Sequence, residues 1–191
     1  MKANSDFIEV FEHVLSPEYC QNTIEQLRSH ESLEEDPQPD YSMRRYMNLS
    51  QNKNLNTLTM KFSQVANDLA QEYFQLPEGM EESQMDDWWD DGFIFAHYRP
   101  GDDLKLHVDG HSSEEGRNGL RLVTVLFFLN DIANGGELIF PMQERNVQPQ
   151  QGSAVVFPVS FTHPHRVAAC KSDRFIVQTW LTDTRFVVND A

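Results

Sequence analysis

The sequence predicts an α+β fold, mainly β, in which a double-stranded β-helix (a cupin-like jelly-roll barrel) is supported by N-terminal helices. Two observations lead to this prediction. Apolar residues recur at helical spacings before about residue 80, whereas short β-rich runs separated by Gly, Pro and Asn fill the chain from Phe93 onward. Many short strands joined by such turn residues are typical of jelly rolls. We expect one domain over residues 1–191, with helical support in about 1–80 and the barrel core in about 92–185.

Two helices are expected before the barrel. Ser16, Pro17 and Glu18 have the features of a helix start, namely an N-cap, a proline at the first helical position and an early acid. Pro77 and Gly79 should end a longer second helix, whose apolar stripe should pack on a sheet. The stripe consists of apolar residues spaced three and four apart, which are Leu55, Leu58, Phe62, Val65, Leu69 and Tyr73.

Five β-strands are expected in the second half of the chain. Each run is rich in β-branched or aromatic residues and is bounded by residues that favour turns. The runs cover residues 93–98, 120–129, 137–140, 153–157 and 175–181. The pair Trp88 and Trp89 lies among acids just before them, in a segment that we expect to be a loop.

The chain is strongly acidic, with a formal net charge of -15 at pH 7. Nucleic acids are therefore not expected as partners, because binding to phosphates depends on Lys and Arg displacing counterions. The acids concentrate in residues 31–40 and 81–91. These segments either form a solvated acidic surface or attract a basic protein or a cationic small molecule.

The cysteines and the N-terminus point to a cytoplasmic protein. Cys20 and Cys170 lie in different halves of the chain, which fits reduced thiols better than a disulfide framework. The first residues lack the apolar run of a secretion signal, and no stretch approaches the roughly eighteen apolar residues of a membrane span. We therefore expect no membrane partner.

His107 and Asp109 form the first part of a candidate metal site. Two residues apart on an extended strand, their side chains point to the same face and can reach one metal. A second histidine from a distant strand would complete two imidazoles and one carboxylate, the facial triad that holds non-haem Fe(II) and leaves coordination positions open. His111 would suggest a paired zinc site on a helix, but Gly110 argues against a helix, so we expect His111 in a loop near the site.

Two histidines, His163 and His165, are candidates for the third ligand. They are two residues apart and could face the same way, and the one that is not a ligand could orient a ligand by a hydrogen bond. Arg174 follows nine residues after His165 and supplies a fixed charged fork suited to a carboxylate, such as the distal one of a dicarboxylic acid. Lys171 is a competing cation in the preceding turn, where exposure to solvent is expected.

The order of these motifs resembles that of the Fe(II)- and 2-oxoglutarate-dependent dioxygenases, specifically the prolyl-4-hydroxylase-like family. The resemblance extends from Gly92 to Thr182, about half of the chain, and departs from the family at Leu104, where many members carry a tyrosine that contacts the cosubstrate. A second departure is the spacing from His165 to Arg174, nine residues where relatives have ten. Eight blocks follow the order of the family, at residues 98–101, 107–109, 121–131, 135–138, 149–152, 156–158, 164–167 and 174–180.

The resemblance implies roles for particular residues. The register of residues 164–167 selects His165 over His163, so that the Fe(II) ligands would be His107, Asp109 and His165. Arg174 would anchor 2-oxoglutarate (2OG), and no catalytic residue is implied beyond the metal ligands. Three further residues are candidates to form a hydrogen bond with the cosubstrate in place of the missing tyrosine, namely Tyr98, Thr124 and Thr179. The alternative is that each of them only packs within its strand.

The reaction implied is hydroxylation of a substrate C–H by O2, with release of succinate and CO2 and with ascorbate as a reductant. A prolyl residue in a protein or peptide is the leading substrate, and a free amino acid or other small molecule is the alternative. A non-catalytic metal-binding or sensing module of the same fold is a further alternative, which Arg174 disfavours because a metal store needs no dicarboxylate anchor. A third reading is a metal-dependent hydrolase or isomerase of cupin type. The loop between Asp109 and Arg121 would be either a lid over the substrate or a surface loop.

Overall fold

The computed structural model describes residues 6–38, 40–74, 88–110 and 120–183. Two antiparallel sheets pack face to face, and two helices cover the outer face of the larger sheet. This is a jelly roll that is mainly β with supporting N-terminal helices. The predicted fold class is therefore confirmed.

The first helix, α1 (Pro17–Leu27), begins where the sequence predicts. Ser16 is its N-cap, and the Ser16 side chain accepts a hydrogen bond of 3.1 Å from the backbone N–H of Tyr19. This bond satisfies one of the donors that a first helical turn leaves unpaired. Two short 3-10 helices, Leu49–Gln51 and Lys53–Leu55, lie further along the chain.

The second helix, α2 (Asn56–Tyr73), carries the predicted apolar stripe. Phe62 and Leu69 on this stripe are buried in a cluster with residues of the larger sheet, as predicted. Pro77 and Gly79, the predicted stop signals, lie outside the described residues. Within the described ranges, neither helix has the length and apolarity needed to cross a membrane.

Twelve strands are present in the described residues. They are β1 (Glu9–Phe11), β2 (Glu34–Glu35), β3 (Arg45–Asn48), β4 (Trp88–Asp90), β5 (Ile94–Tyr98), β6 (Leu104–His107), β7 (Leu120–Phe128), β8 (Leu138–Phe140), β9 (Arg145–Val147), β10 (Ala154–Pro158), β11 (His165–Val167) and β12 (Arg174–Asp183). The larger sheet has eight strands in the order β1-β10-β7-β12-β5-β3-β2, with β4 paired to the far end of β12. The smaller sheet has the order β6-β11-β8-β9.

Alternation along β7 and β12 separates two hydrophobic cores. Val125 and Val177 belong to the cluster shared with the helices, whereas Leu126 and Ile176, one residue away, belong to the cluster between the sheets. Because side chains alternate with a period of two, Arg174 shares the inner face of β12 with Ile176. The inner face of the barrel is therefore where the candidate site residues meet.

All five predicted strands are present, with ends within two residues of the predicted bounds. The sequence analysis did not predict β1, β2, β3, β4 or β9, which have two to four residues each. Such segments are too short to show a hydrophobic period, and their extended form depends on pairing with longer neighbours. Trp88 and Trp89 were expected in a loop, but they belong to β4 and pair with Asp183 and Thr182 of β12.

Candidate active site

A group of three metal-ligating side chains lies in the described part of the barrel. The ligand atoms of His107, Asp109 and His165 all lie within 4.8 Å of one another. His107 ends β6, His165 begins β11, and the two residues are opposite each other in the antiparallel pairing of these strands. Asp109 lies two residues beyond the end of β6 rather than on the strand. The smaller sheet thus brings together residues that are far apart in the sequence.

The hydrogen bonds of the two imidazoles define which ring nitrogens carry protons. Nδ1 of His107 lies 2.8 Å from the carbonyl oxygen of Lys105, and Nδ1 of His165 lies 3.1 Å from that of His163. A carbonyl only accepts, so each Nδ1 is the donor, and in the neutral ring Nε2 then carries the lone pair. The Nε2 atoms lie 3.6 Å and 3.9 Å from Oδ1 of Asp109. Three lone-pair donors therefore converge on one point.

Asp109 is held in its ionised form. Burial alone would raise its pKa, but the imidazoles of His107 and His165 and the hydroxyl of Thr124 together hold the pKa well below the ordinary value. The Thr124 hydroxyl donates to Oδ2 at 2.5 Å, which leaves Oδ1 directed to the two rings. Burial lowers the pKa of His165 despite the neighbouring carboxylate, so this ring is neutral near pH 7.

The donor set fits a divalent iron. Two neutral imidazole nitrogens and one carboxylate oxygen are the ligands of the facial triad, which leaves positions open for other molecules. Metal binding requires deprotonated ligands, and the lowered pKa values of Asp109 and His165 favour that state near pH 7. The three residues could therefore hold Fe(II).

Arg174 is a buried cation for which the described residues provide no hydrogen-bond acceptor. The side chain is fully buried, and Nε, Nη1 and Nη2 all lack an acceptor among the described residues. The guanidinium carbon lies 4.8 Å and 5.6 Å from the ring centroids of Tyr98 and Phe128, and burial lowers its pKa. An unpaired buried charge is strongly unfavourable. The site therefore fits a ligand that brings a carboxylate to this point.

A cavity of about 320 Å³ lies beside the three candidate metal ligands, and we call it the central cavity. It is lined by the three candidate metal ligands and by Tyr98. The Tyr98 hydroxyl accepts a hydrogen bond of 3.2 Å from Nη1 of Arg44, while Arg174 lies against the ring. Apolar walls come from Leu126, Leu138, Phe157 and Val167. The cavity lies between the candidate metal ligands and Tyr98, whose ring packs against Arg174.

The structure brings two of the three candidate cosubstrate residues to this cavity. Tyr98 and Thr124 line it, although the hydroxyl of Thr124 is used by Asp109. Thr179 does not reach it. The side chain lies on the helix-facing side of β12 with Val177, and its hydroxyl lies 3.5 Å from the carbonyl oxygen of Trp180. Period-two alternation from Arg174 explains this placement.

The ring of His163 points away from the three candidate ligands. Its Nδ1 lies 2.8 Å from the hydroxyl of Thr162 and its Nε2 lies 2.8 Å from the carbonyl oxygen of Asp6. The residue nevertheless contacts the site, because its own carbonyl orients His165. His111 and most of the loop that follows Asp109 lie outside the described residues.

Sequence reasoning missed Tyr41 and Arg44, which form one wall of the central cavity. The Tyr41 ring packs edge-on against His107, with centroids 5.5 Å apart. The carbonyl of Tyr41 accepts a hydrogen bond of 3.0 Å from the backbone N–H of Lys105, which ties this segment to β6. Arg44 is paired with Asp36 at 3.2 Å. Tyr41 and Arg44 lie in a polar loop far from His107 in the sequence, and no sequence pattern in that loop predicts these contacts.

A buried ion pair at the other wall was also missed. Nε and Nη2 of Arg121 donate to Oδ2 of Asp91 at 2.8 Å and 2.6 Å, and the guanidinium carbon lies 3.8 Å from the ring centroid of Trp180. Asp91 ends the acidic segment that contains Trp88 and Trp89. Part of that unusual composition therefore serves to hold Arg121 against Trp180.

Comparison with family models gives a match to part of the chain. Residues 93–182, just under half of the chain, match the model of the 2OG-Fe(II) oxygenase superfamily. The matched segment contains all seven site residues that the sequence predicted. No curated protein sequence matches the chain.

Three solved structures share the fold. A viral collagen prolyl hydroxylase from Paramecium bursaria Chlorella virus-1, solved as its 2OG complex, has a TM-score of 0.71 at 16% identity, and the match covers 96% of this chain and 99% of that chain. A prolyl hydroxylase from Trichoplax adhaerens, in complex with a peptide fragment of the hypoxia inducible factor oxygen degradation domain, has a TM-score of 0.73 at 15% identity, covering 98% and 89%. A Pseudomonas putida prolyl-4-hydroxylase has a TM-score of 0.66 at 20% identity, covering 94% of each chain.

The family match, the fold and the donor set together define the class of enzyme. They are those of an Fe(II)- and 2OG-dependent oxygenase. Iron, 2OG and O2 are the cofactor and cosubstrates of this class. The predicted family and reaction class are thereby confirmed.

Proposed function

We propose that this enzyme hydroxylates prolyl residues in a protein or peptide, with Fe(II) held by His107, Asp109 and His165 and with 2OG anchored by Arg174. One observation carries the assignment of the site. A fully buried guanidinium, with no acceptor among the described residues, packs against the ring of Tyr98, and Tyr98 lines the same cavity as three convergent metal-ligating atoms. A metal ligand set explains the three donors, and a dicarboxylate that spans the cavity explains the arginine.

Different side chains bind the iron and 2OG and orient the metal ligands. When bound, iron with 2OG and O2 supplies the oxidation, which converts 2OG to succinate and CO2 and adds a hydroxyl to the substrate. The carbonyls of Lys105 and His163 fix the two imidazoles, and Thr124 fixes the carboxylate of Asp109. Arg174 provides a charged fork for the distal carboxylate of 2OG.

Tyr98 and the apolar walls complete the cosubstrate site. The Tyr98 hydroxyl accepts from Arg44 at 3.2 Å, so its own proton is free to be donated to a carboxylate oxygen in the cavity. Leu126 and Val167 give the cavity apolar walls, which would limit access of water around a bound cosubstrate. A dry site strengthens the attraction between Arg174 and a carboxylate and limits side reactions.

The charges around the central cavity favour an uncharged reacting group. Among the described residues, Asp36 pairs with Arg44 and Asp91 pairs with Arg121, while Asp109 offsets Arg174. Adding Fe(II) leaves two positive charges, which the 2OG dianion balances. A free amino acid would bring an ammonium and a carboxylate with no charged partner left. A prolyl residue within a chain brings neither charge.

The fold relatives support the same substrate. All three are prolyl hydroxylases by name, and the Trichoplax structure contains a peptide. We further propose that the chain acts as one domain, with helical support in about residues 1–80 and the oxygenase core in about 92–185. Ascorbate would keep the iron reduced.

The remaining proposals concern location and partners. We propose a cytoplasmic location, supported by the free thiols of Cys20 and Cys170. Nucleic acid is not proposed as a partner, because the net charge of -15 opposes it. A basic protein or peptide partner remains a proposal that rests on the same charge.

Mass spectrometry of candidate substrates tests the proposed substrate. The protein would be incubated with Fe(II), 2OG, ascorbate and O2, together with a proline-containing peptide, free proline and other free amino acids. We expect one added oxygen atom on the peptidyl proline, and none with His165→Ala. Oxygen added only to a free amino acid would contradict the proposal and leave the class of enzyme intact.

A further inference from the structure

Arg44 lies at the wall of the central cavity, just before β3. Its side chain is only 15% exposed, and it lines the cavity together with Asp36. Burial alone would lower the pKa of Arg44, but Tyr98 and Asp36 raise the pKa above its ordinary value, so the guanidinium is charged. A charged and largely buried side chain is costly unless its contacts compensate for the lost water. The contacts of Arg44 therefore indicate what the residue does at this cavity.

Two side chains share the donors of Arg44. Nε donates to Oδ2 of Asp36 at 3.2 Å, and Nη1 donates to the hydroxyl oxygen of Tyr98 at 3.2 Å. The guanidinium carbon lies 5.9 Å and 6.0 Å from the ring centroids of Tyr46 and Tyr98, close enough for attraction between a cation and an aromatic ring. An ion pair, a hydrogen bond and two ring contacts thus fix the position of the guanidinium.

Asp36 is itself held by the backbone around it. Its Oδ1 accepts from the backbone N–H of Gln38 at 3.0 Å, and its own N–H donates to the carbonyl of Arg44 at 2.9 Å. Asp36 and Arg44 are therefore joined twice, once through their side chains and once through their backbones. The N–H of Met43 donates to the carbonyl of Asp103 at 3.0 Å, which ties the end of this segment to the chain just before β6. Arg44 is thus presented to Tyr98 in one orientation.

The bond from Arg44 restricts where the hydroxyl proton of Tyr98 can point. A phenol hydroxyl can both donate and accept, whereas a guanidinium can only donate, so the proton cannot be directed at Arg44. Tyr98 is 1% exposed and lines the central cavity, and among the described residues its proton has no acceptor. The proton is therefore left for an acceptor inside the cavity. A charged donor on the same oxygen also makes this O–H a stronger donor.

We propose that Arg44, held by Asp36, is a positioning residue for 2OG, because it directs the hydroxyl proton of Tyr98 to a carboxylate of the bound cosubstrate. The proposal rests on the proposed 2OG site and adds two residues from outside the matched segment 93–182 that set its affinity. Arg44 acts through Tyr98 rather than by its own charge, since Asp36 already pairs with that charge. The loss of Arg44 should therefore weaken 2OG binding only while the Tyr98 hydroxyl is present.

A double-mutant cycle on 2OG binding tests this proposal. The dissociation constant of 2OG is measured by calorimetry on the Fe(II)-loaded proteins without O2, so that no turnover occurs. We expect Arg44→Met to raise this constant about three- to tenfold, the value of roughly one hydrogen bond. In the Tyr98→Phe background the same substitution should change the constant by less than about twofold, because the two residues act as a unit.

Asp36→Ala separates positioning from charge. The substitution removes a negative charge from the wall of the cavity, so electrostatic attraction alone would strengthen binding of the 2OG dianion. It also removes the acceptor that orients Arg44, so the proposal expects weaker binding, by about two- to fivefold. The direction of the change therefore distinguishes the two effects. With O2 present, uncoupled succinate formation by this variant should show a higher KM for 2OG at a nearly unchanged kcat.

Arg45→Met is the matched control for Arg44→Met. Arg45 is the next residue in the chain and is also partly buried, but its Nη2 lies 2.6 Å from Nδ1 of His97 and it does not line the central cavity. Its dissociation constant for 2OG should equal that of the unmodified protein. Thermal unfolding without 2OG shows which variants are folded, and Asp36→Ala decides the question if Arg44→Met is not.

The outcomes separate this inference from the proposed function. Three results would overturn the role of Arg44 while leaving the 2OG site intact: unchanged binding in Arg44→Met, an effect of Arg44→Met that persists in the Tyr98→Phe background, or tighter binding in Asp36→Ala. Failure of the unmodified Fe(II)-loaded protein to bind 2OG would instead contradict the proposed function, and the inference with it.

Discussion

His107 and His165 face each other across β6 and β11 with ring centroids 4.3 Å apart, and each donates its Nδ1–H to the carbonyl of the residue two positions earlier. The same local hydrogen bond thus orients both rings, although they come from different strands. Neither bond depends on a side chain other than the imidazole itself. The orientation of both rings is therefore set by the backbone of the smaller sheet.

This relationship predicts a clear difference between two neighbouring histidines. His165→Ala should lose iron, because it removes a candidate ligand. His163→Ala should retain iron, because the bond to His165 comes from the backbone carbonyl of residue 163. The lost ring bonds to Thr162 and Asp6 should lower the free energy of unfolding by about 1–3 kcal/mol. Metal analysis and thermal unfolding of both variants check this, and a folded His163→Ala protein without iron would reverse the assignment.

Arg174 should show opposite effects on stability and on cosubstrate binding. Arg174→Met removes an unpaired buried charge at similar volume, so stability without 2OG should be unchanged or higher. The apparent requirement for 2OG should rise roughly thirty- to a hundredfold, since a charged hydrogen bond contributes about 2–3 kcal/mol. Iron content should stay near normal.

Thermal unfolding with and without 2OG measures both effects of Arg174. A ligand at about one hundred times its Kd stabilises a protein by about 2.7 kcal/mol, and the variant should lose most of this gain. Lys171→Met is the matched control, because Lys171 is exposed in the turn before β12. A larger loss of 2OG binding at Lys171 than at Arg174 would show that the anchor is misassigned.

Thr124 and Thr179 should behave differently although both are buried. Thr124→Val removes the hydroxyl that donates to Asp109, and iron affinity should fall about 10–100-fold, while Thr124→Ser should restore most of it. Thr179→Val should leave iron affinity unchanged, because its hydroxyl lies on the helix-facing side of β12. Iron titrations of the three variants provide the test, and equal effects at the two positions would contradict the described geometry.

His97 should make stability depend on pH. Nη2 of Arg45 donates to its Nδ1 at 2.6 Å, and its Nε2 donates to Asp173 at 2.6 Å, so the buried ring is neutral. Burial lowers its pKa below the ordinary value of 6.5, an effect that the bond to Asp173 only partly offsets. The unfolded chain therefore takes up this proton at a higher pH than the folded chain. The stabilisation that comes from keeping His97 neutral is present above about pH 6.5. It is lost as the pH falls from there through the lower pKa of His97 in the folded protein.

A pH series of thermal unfolding isolates the contribution of His97. Between about pH 8 and about pH 5, the unfolding temperature of the unmodified protein should fall more steeply than that of His97→Gln. The variant keeps a polar side chain of similar size but does not titrate in this range. Identical slopes for the two proteins would exclude His97 as the source.

Much of the barrel and of the candidate site could be predicted from local patterns. The Ser16-Pro17 start of α1 and the long strands β7 and β12 carry strong periodic or capping signals. Thr179 could have been rejected as well, because the alternation that places Arg174 inside places Thr179 outside.

The other parts of the site depend on tertiary pairing. Tyr41 reaches His107 only because residues 41–43 run beside β6, as the bonds from Lys105 to Tyr41 and from Met43 to Asp103 show. The pairing of Asp91 with Arg121 likewise requires β4 to join β12. Segments of two to four residues have no period of their own, so the sequence contains no local signal for these contacts.

The most direct test of the account is peptide-independent turnover of 2OG. With Fe(II), ascorbate and O2 but no primary substrate, the unmodified protein should slowly form succinate. His107→Ala, Asp109→Ala and His165→Ala should form none above a metal-free control, and Arg174→Met should form it only at much higher 2OG concentration. Succinate formation that persists in all three ligand variants would contradict the assigned iron site. The absence of succinate from the unmodified protein, with iron shown to be bound, would contradict the account as a whole.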